Sequence, residues 1–118
     1  MIILHCMKES TWDTVKNTNY FGQDMLDTSG FIHCSSIEYM WRVAADFKQI
    51  SDALVLLCIE TETLEAEVKW EDSDNCGRSY PHIYGLINTS SVKSVLLYKK
   101  DSSGNWQKNE ELQHIQDK

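Results

Sequence analysis

Three of the chain's four histidines occupy short segments typical of β-strands: His5, His33 and His82. Their flanking sequences are LHC, GFIHCS and YPHIYG. Because the unperturbed pKa of histidine is about 6.5, each side chain can donate, accept or exchange a proton near neutral pH. If the three strands lie side by side, their imidazoles line one polar cleft. The sequence therefore predicts a ligand-binding site at these histidines.

The alternation of side chains along a strand sorts the residues of the third segment by face. Tyr80, His82 and Tyr84 share one face, and Pro81 and Ile83 share the other. Two phenols beside an imidazole suit stacking on a flat ring and hydrogen bonding to ribose or carboxamide groups. We expect His82 and the two tyrosines to contact a ligand together.

The same alternation argues against a metal site in the first two segments. His5 and His33 lie on the strand faces opposite to Cys6 and Cys34, respectively. A tetrahedral zinc site made of these four residues would require a bulge. We expect no metal ligand here. A strand histidine is also commonly a half-buried structural residue, and this simpler interpretation stays open beside the functional one.

Length and charge limit the class of protein. The 118 residues suit one domain with one hydrophobic core. The formal net charge is −7, which argues against a nucleic-acid partner, since such surfaces normally carry clustered lysine and arginine. Any nucleotide must then be held by local donors. Arg78, close in sequence to His82, is the candidate for a phosphate contact.

Cysteine spacing and hydropathy indicate the compartment. The four cysteines form no CxxC pair, which favours small core residues in a reducing environment. No signal-peptide pattern precedes the first strand, and no stretch approaches the about 18 apolar residues of a membrane span. We expect a cytoplasmic protein with no membrane partner.

Local patterns predict the elements that position the histidines. A strand over 1–7 leads into a helix over 11–16 that Ser10 caps. A second strand over 31–34 leads into a longer helix, for which Ser35 and Glu38 match a capping box. The apolar residues of that helix recur at helical spacing: Ile37, Met40, Trp41, Ala44 and Phe47.

Strands dominate the remainder of the prediction. The continuous apolar run 53–59 predicts a central strand covered on both faces, and further strands are expected over 68–71 and 91–99. The polar segment 72–78 is expected to form a loop that can border a cleft. We expect one α+β domain over 1–108 and a frayed polar tail over 109–118.

The histidine motifs resemble those of domain-of-unknown-function family 952, an uncharacterised bacterial family. The matching residues run from His5 through the segment 30–35 and a helix to the segment 81–85. That family is in turn similar to the ADP-ribosyltransferase fold. The resemblance implies a small, curved, mostly antiparallel split sheet with two helices, which grips NAD in a cleft.

The resemblance also implies residue roles. It makes His5 a contact to the NAD ribose and makes Phe31, His33 and Ser35 part of the nicotinamide pocket. The third motif of the transferases usually supplies a glutamate, but His82 or its neighbours hold that position here. Because a carboxylate stabilises an oxocarbenium-like centre and an imidazole does so poorly, the fold carries over more safely than the activity.

Two hypotheses follow. In the first, the cleft binds NAD, ADP-ribose or a related nucleotide, His33 and His82 handle protons, and the chain transfers or hydrolyses a glycosyl or ADP-ribosyl group. NAD is then a substrate, and no other cofactor is expected. In the second, the same cleft senses a ligand or docks a protein without catalysis. The three histidines favour the first hypothesis and the missing carboxylate favours the second. The oligomeric state stays open.

Overall fold

Helices and strands alternate in the first half of the chain, and strands dominate the second half. The computed structural model describes residues 1–118. The strands are β1 (Ile2–Lys8), β2 (Tyr20–Phe21), β3 (Ile32–His33), β4 (Leu54–Glu60), β5 (Glu67–Glu71), β6 (Tyr80–Tyr84), β7 (Ile87–Asn88) and β8 (Val92–Tyr98). The α-helices are α1 (Glu9–Val15), α2 (Gln23–Ser29) and α3 (Met40–Ala44). None of these helices has the length and hydropathy needed to span a bilayer.

The strands form three antiparallel sheets. The largest has the order β1-β4-β8, the second has the order β3-β6-β5, and β2 pairs with β7. β1 meets the second sheet at a single bridge between Leu4 and Ser35. The Leu4 N–H donates to the Ser35 carbonyl at 2.7 Å, and the Ser35 N–H donates to the Leu4 carbonyl at 2.8 Å. The expectation of an antiparallel α+β fold is confirmed.

The central strand β4 is covered on both faces, as its apolar sequence predicts. Leu57 packs in one core layer with Ile32 and Ile83 of the second sheet. Leu56, one residue earlier, packs in the other layer with Met40 of α3. Complete burial of such a side chain contributes about 1.5–3 kcal/mol, so this strand anchors both layers.

The chain has three α-helices, whereas the sequence predicted two. The additional helix, α2, lies between Gly22 and Gly30, whose φ values of +109° and +81° are left-handed. A left-handed glycine commonly ends a helix, but the sequence pattern around Gly30 favoured the start of a strand. Met25 and Leu26 pack α2 against the core layer that contains Ile32.

Neither serine cap that the sequence suggested is present. α1 begins directly after β1, so Ser10 lies inside the helix. The backbone of Ser35 is held in the bridge to Leu4, and its hydroxyl donates to the Ser36 carbonyl at 2.8 Å, so the capping box with Glu38 does not form. The predicted long helix is instead α3 flanked by 3₁₀ turns over 37–39 and 45–47.

The last ten residues pack against the fold, which differs from the frayed tail expected. Leu112 is buried in the core layer of Met40. The Lys118 N–H donates to the Glu38 carbonyl at 3.0 Å. The Arg42 Nε donates to the backbone oxygen of Lys118 at 2.9 Å. These contacts fasten residues 109–118 to the helical segment beside the central sheet.

Candidate functional site

A cleft of about 650 Å³ opens where β1 and β3 separate. Its walls come from β1, α2, the end of β3, α3 with the 3₁₀ turn over 45–47, the end of β5, the loop 72–78 and β6. All three strand histidines line it, together with Ser35 and Tyr80. The structure therefore brings His5, His33 and His82 into one cavity from three widely separated parts of the chain.

His5 lines this cleft and has one ring nitrogen without a partner. Its Nδ1 lies 2.7 Å from the backbone oxygen of His33. Because a carbonyl can only accept, Nδ1 carries the proton and Nε2 is left as an acceptor. That Nε2 is buried and has no protein partner, and the residue is 4% exposed. Burial lowers the pKa of His5, which keeps the ring neutral.

The split between the sheets explains the position of the His5 ring. In an antiparallel ladder every second pair exchanges both backbone hydrogen bonds, so Cys6 and His33 would follow Leu4 and Ser35. β1 leaves the second sheet before that pair forms, and the His5 imidazole takes the place of the Cys6 N–H on the His33 carbonyl. The N–H and C=O of Cys6 therefore lie on the strand edge that faces the cleft.

A carboxylate holds the His82 ring. Nδ1 of His82 lies 2.9 Å from Oε1 of Glu71, and the Tyr84 hydroxyl donates to the same oxygen at 2.5 Å. Both hydrogen bonds lower the pKa of Glu71, and the one from Tyr84 has the larger effect. The Glu71 side chain is therefore ionised at neutral pH. The ionised carboxylate requires the proton of His82 on Nδ1. Nε2 of His82 has no hydrogen bond to the protein.

His33 and His82 are directly opposite each other on β3 and β6. Their ring centroids are 5.4 Å apart at an interplanar angle of 76°. Phe31 stacks on the His82 ring with centroids 4.1 Å apart. Burial and the neighbouring His82 lower the pKa of His33, and Asp74 opposes this shift. The two imidazoles thus share a wall but differ in environment, since only His82 has a carboxylate partner.

The remaining predicted residues divide between the cleft and its surroundings. Phe31 and Tyr84 contact the His82–Glu71 pair but do not line the cleft themselves. Arg78 does not line the cleft, whereas Arg42 does. The loop 72–78 borders it through three residues: Ser73, Asp74 and Cys76.

Sequence reasoning missed Glu71. The alternation in β5 places Lys69 and Glu71 on one face, and the antiparallel register sets them opposite His82 and Tyr80. The alternation is visible in the sequence, but the register between β5 and β6 is not. A carboxylate therefore lies beside His82, although the third histidine motif itself contains none.

Comparison with known proteins gives a family. Residues 6–95 match the family described as "Protein of unknown function (DUF952)". The chain belongs to this family. The DUF952 match includes His33, Glu71 and His82, and it begins one residue after His5. No curated protein matches the chain.

Solved structures of a similar protein share the fold. The crystal structure of protein CC0527 from Caulobacter crescentus is 31% identical with a TM-score of 0.81, and the comparison covers 96% of this chain and 99% of that one. A crystal structure of a double mutant of CC0527 gives the same values. The solution NMR structure of CC0527 is 32% identical, covers 90% of this chain and 91% of that one, and has a TM-score of 0.73. The arrangement of helices and sheets is therefore shared along nearly the whole chain.

Proposed function

We propose that the cleft binds the ribosyl and carboxamide groups of NAD, ADP-ribose or a related nucleotide, as in an ADP-ribosyltransferase-like fold. The observation that carries the proposal is the buried, unpaired Nε2 of His5 in a cleft that also holds His33 and His82. A buried acceptor without a partner costs about 1–3 kcal/mol, which a ligand hydroxyl or N–H would recover.

Three groups of the cleft support this mode of binding. The Nε2 of His5 can accept a hydrogen bond from a ribose hydroxyl. The exposed edge of β1 at Cys6 offers a main-chain donor and acceptor, the pair that a carboxamide requires. Tyr80 lines the same cleft, and its ring, 5.6 Å from that of Tyr39, provides an aromatic surface for a planar group.

The His82–Glu71 pair supports a proton-transfer step. Glu71 fixes the ring of His82 through Nδ1, which leaves Nε2 to give or take a proton. A positioned acid or base of this kind typically contributes about 10²–10⁴-fold to a rate. The ionised Glu71 also places a negative charge beside the ring, and such a charge favours a cationic ribosyl centre. We assign His82 the catalytic proton and Glu71 the positioning of His82.

Binding without turnover is the second candidate. His82 is only 4% exposed, and Phe31 covers one face of its ring. This coverage favours a role in which the His82 ring is held in place to bind a ligand over a role in which it transfers a proton during a reaction. The same cleft would then sense a nucleotide.

The cysteines support a cytoplasmic setting. All four are free, and Cys34 and Cys58 are buried. Burial raises the pKa of Cys6 to about 12, so its thiol is a poor nucleophile. Unpaired thiols of this kind suit a reducing compartment, and we infer that the protein works in the cytoplasm.

An NMR titration with NAD and ADP-ribose tests the proposal and separates its two forms. Saturable shifts at His5, His33 and His82, with release of nicotinamide from NAD, support an enzyme. The same shifts without product support the sensing module. His82→Gln should abolish product formation, whereas His114→Gln, at an exposed position outside the cleft, should not. Absence of shifts at the three cleft histidines with both ligands would refute nucleotide binding.

A further inference from the structure

The charges of the cleft are unbalanced. Three carboxylates line it, those of Asp46, Glu71 and Asp74, against a single arginine, Arg42. Burial lowers the pKa values of His5 and His33, so neither ring adds a positive charge at neutral pH. Even when His82 is protonated, Glu71 neutralises it at 2.9 Å. The cavity is therefore negative overall, like the whole chain at −7.

The one arginine of the lining is already engaged outside the cavity. Its Nε donates to the backbone oxygen of Lys118 at 2.9 Å, and its Nη2 donates to the same oxygen. The guanidinium also lies over the Trp41 ring, 4.5 Å from its centroid. An arginine can bind a phosphate through its bidentate guanidinium fork, but the fork of Arg42 is held by these contacts.

The hydrogen-bonding groups of the cleft also disfavour a phosphate, because two of them are acceptors that lack a donor. Nε2 of His5 is a buried acceptor with no partner. Both His82 and Tyr84 use Oε1 of Glu71, which leaves Oε2 as a second acceptor without a side-chain donor. A ligand that satisfies these atoms must bring N–H or O–H donors, whereas a phosphate dianion brings only acceptors.

We propose that, among ribosyl ligands, the cleft prefers a positively charged ligand that carries hydrogen-bond donors, such as an N-ribosylated pyridinium, and binds phosphorylated ligands such as ADP-ribose more weakly. The choice of a ribosyl compound rests on the function proposed above. The charge preference rests on the lining itself: three carboxylates, an engaged arginine and the unpaired His5 nitrogen. Complementary charge of this kind gives specificity.

Calorimetric titration of the full chain with three probes tests the inference: nicotinamide riboside, ADP-ribose and 1-methylnicotinamide. The first is a ribosylated cation, the second is an anion with the same sugar, and the third is a cation without a sugar. Nicotinamide riboside should bind at least about tenfold more tightly than ADP-ribose at low salt. Added salt should weaken the binding of nicotinamide riboside and strengthen the binding of ADP-ribose, because salt screens both electrostatic attraction and electrostatic repulsion.

Charge variants identify the source of the preference. The double variant Asp46→Asn and Asp74→Asn should lower the affinity for nicotinamide riboside by about three- to tenfold and raise the affinity for ADP-ribose. Glu62→Gln is the control, because it removes one negative charge from an exposed residue outside the cleft. It should change the two affinities only by the small amount that the altered net charge of the protein causes.

The outcomes separate this inference from the proposed function. Tighter binding of ADP-ribose than of nicotinamide riboside would overturn the charge preference and leave ribosyl binding intact. Binding of 1-methylnicotinamide but of neither ribosyl compound would support the charge preference and refute the proposed function. Absence of binding by all three probes would overturn both.

Discussion

Leu4 and Ser35 exchange both of their backbone hydrogen bonds, at 2.7 and 2.8 Å, and form the single bridge between β1 and the second sheet. A longer ladder would close the gap in which the His5 ring lies. Because the pairing stops after one bridge, the edge of β1 at Cys6 faces the cleft, and the His33 carbonyl accepts from the His5 ring instead. The site thus depends on an interrupted sheet as much as on its histidines.

Leucine-to-alanine substitutions should destabilise the protein more in the central strand β4 than in the edge strand β8. Leu57→Ala removes a fully buried side chain of β4 and should lower the free energy of unfolding by about 2–5 kcal/mol. Leu97→Ala on the edge strand β8, where the leucine is 43% exposed, should cost about 0.5 kcal/mol or less. Urea denaturation measures both values. Equal losses would contradict the assignment of β4 as the central buried strand.

Two glycines should differ in their tolerance of alanine. Gly22 and Gly104 both have left-handed φ values, so each substitution costs roughly 1–2 kcal/mol of backbone strain. A Cβ at Gly22 would also lie 2.5 Å from Cδ1 of the buried Ile32, whereas nothing lies within 4 Å at Gly104. Gly22→Ala should therefore lose about 1 kcal/mol more than Gly104→Ala, as thermal unfolding can show. A smaller loss at Gly22 would mean that β3 shifts freely.

Removing the Tyr84 hydroxyl should raise the pKa of Glu71. Two hydrogen bonds to Oε1 stabilise the ionised carboxylate, and Tyr84→Phe deletes the one that lowers the pKa most. Carbon-detected NMR of the carboxyl group, followed during acidification, measures the shift. Tyr20→Phe serves as the control, because the Tyr20 hydroxyl bonds to Glu65 outside the site. An unchanged Glu71 titration in Tyr84→Phe would exclude this hydrogen bond in solution.

The buried His5 should make stability depend on pH. Burial lowers its pKa below the value in the unfolded chain, so the unfolded state binds the proton first as the pH falls. The stabilisation is complete above the unfolded pKa of about 6.5 and is lost as the pH falls from there towards the folded pKa. His33 contributes with the same sign, since its pKa is also lowered.

Histidine variants can assign this dependence. His5→Gln should flatten the curve of melting temperature against pH between about 7 and 5. His114→Gln removes an exposed histidine and should leave the curve unchanged. An equally steep curve in His5→Gln and the parent protein would show that His5 is not the buried neutral ring described above.

The sequence predicts the strands better than it predicts what joins them. The apolar run of β4 and the alternation in β6 each depend on local side-chain periodicity, so both strands could be anticipated. The capping box at Ser35 failed because a long-range partner, Leu4, holds its backbone. Helix α2 was missed because Gly30 fits either a helix end or a strand start when only its neighbours are considered.

For the candidate site as well, local patterns could be predicted from the sequence and long-range contacts could not. The three histidines are visible as motifs, and their faces follow from alternation. Glu71 reaches His82 only through the pairing of β5 with β6, and Arg42 replaces Arg78 in the cleft lining only because α3 packs beside β1. Such partners depend on register and packing between distant segments, which no local pattern in one sequence specifies.

The most direct test of the account is nitrogen-15 NMR of the His5 imidazole, with and without nicotinamide riboside. The structure predicts a neutral ring with the proton on Nδ1, and a ligand-dependent shift at Nε2 as that atom gains a donor. A proton on Nε2 in the free protein, or an Nε2 signal that saturating ligand leaves unmoved, would contradict the claim that this nitrogen is a ligand acceptor.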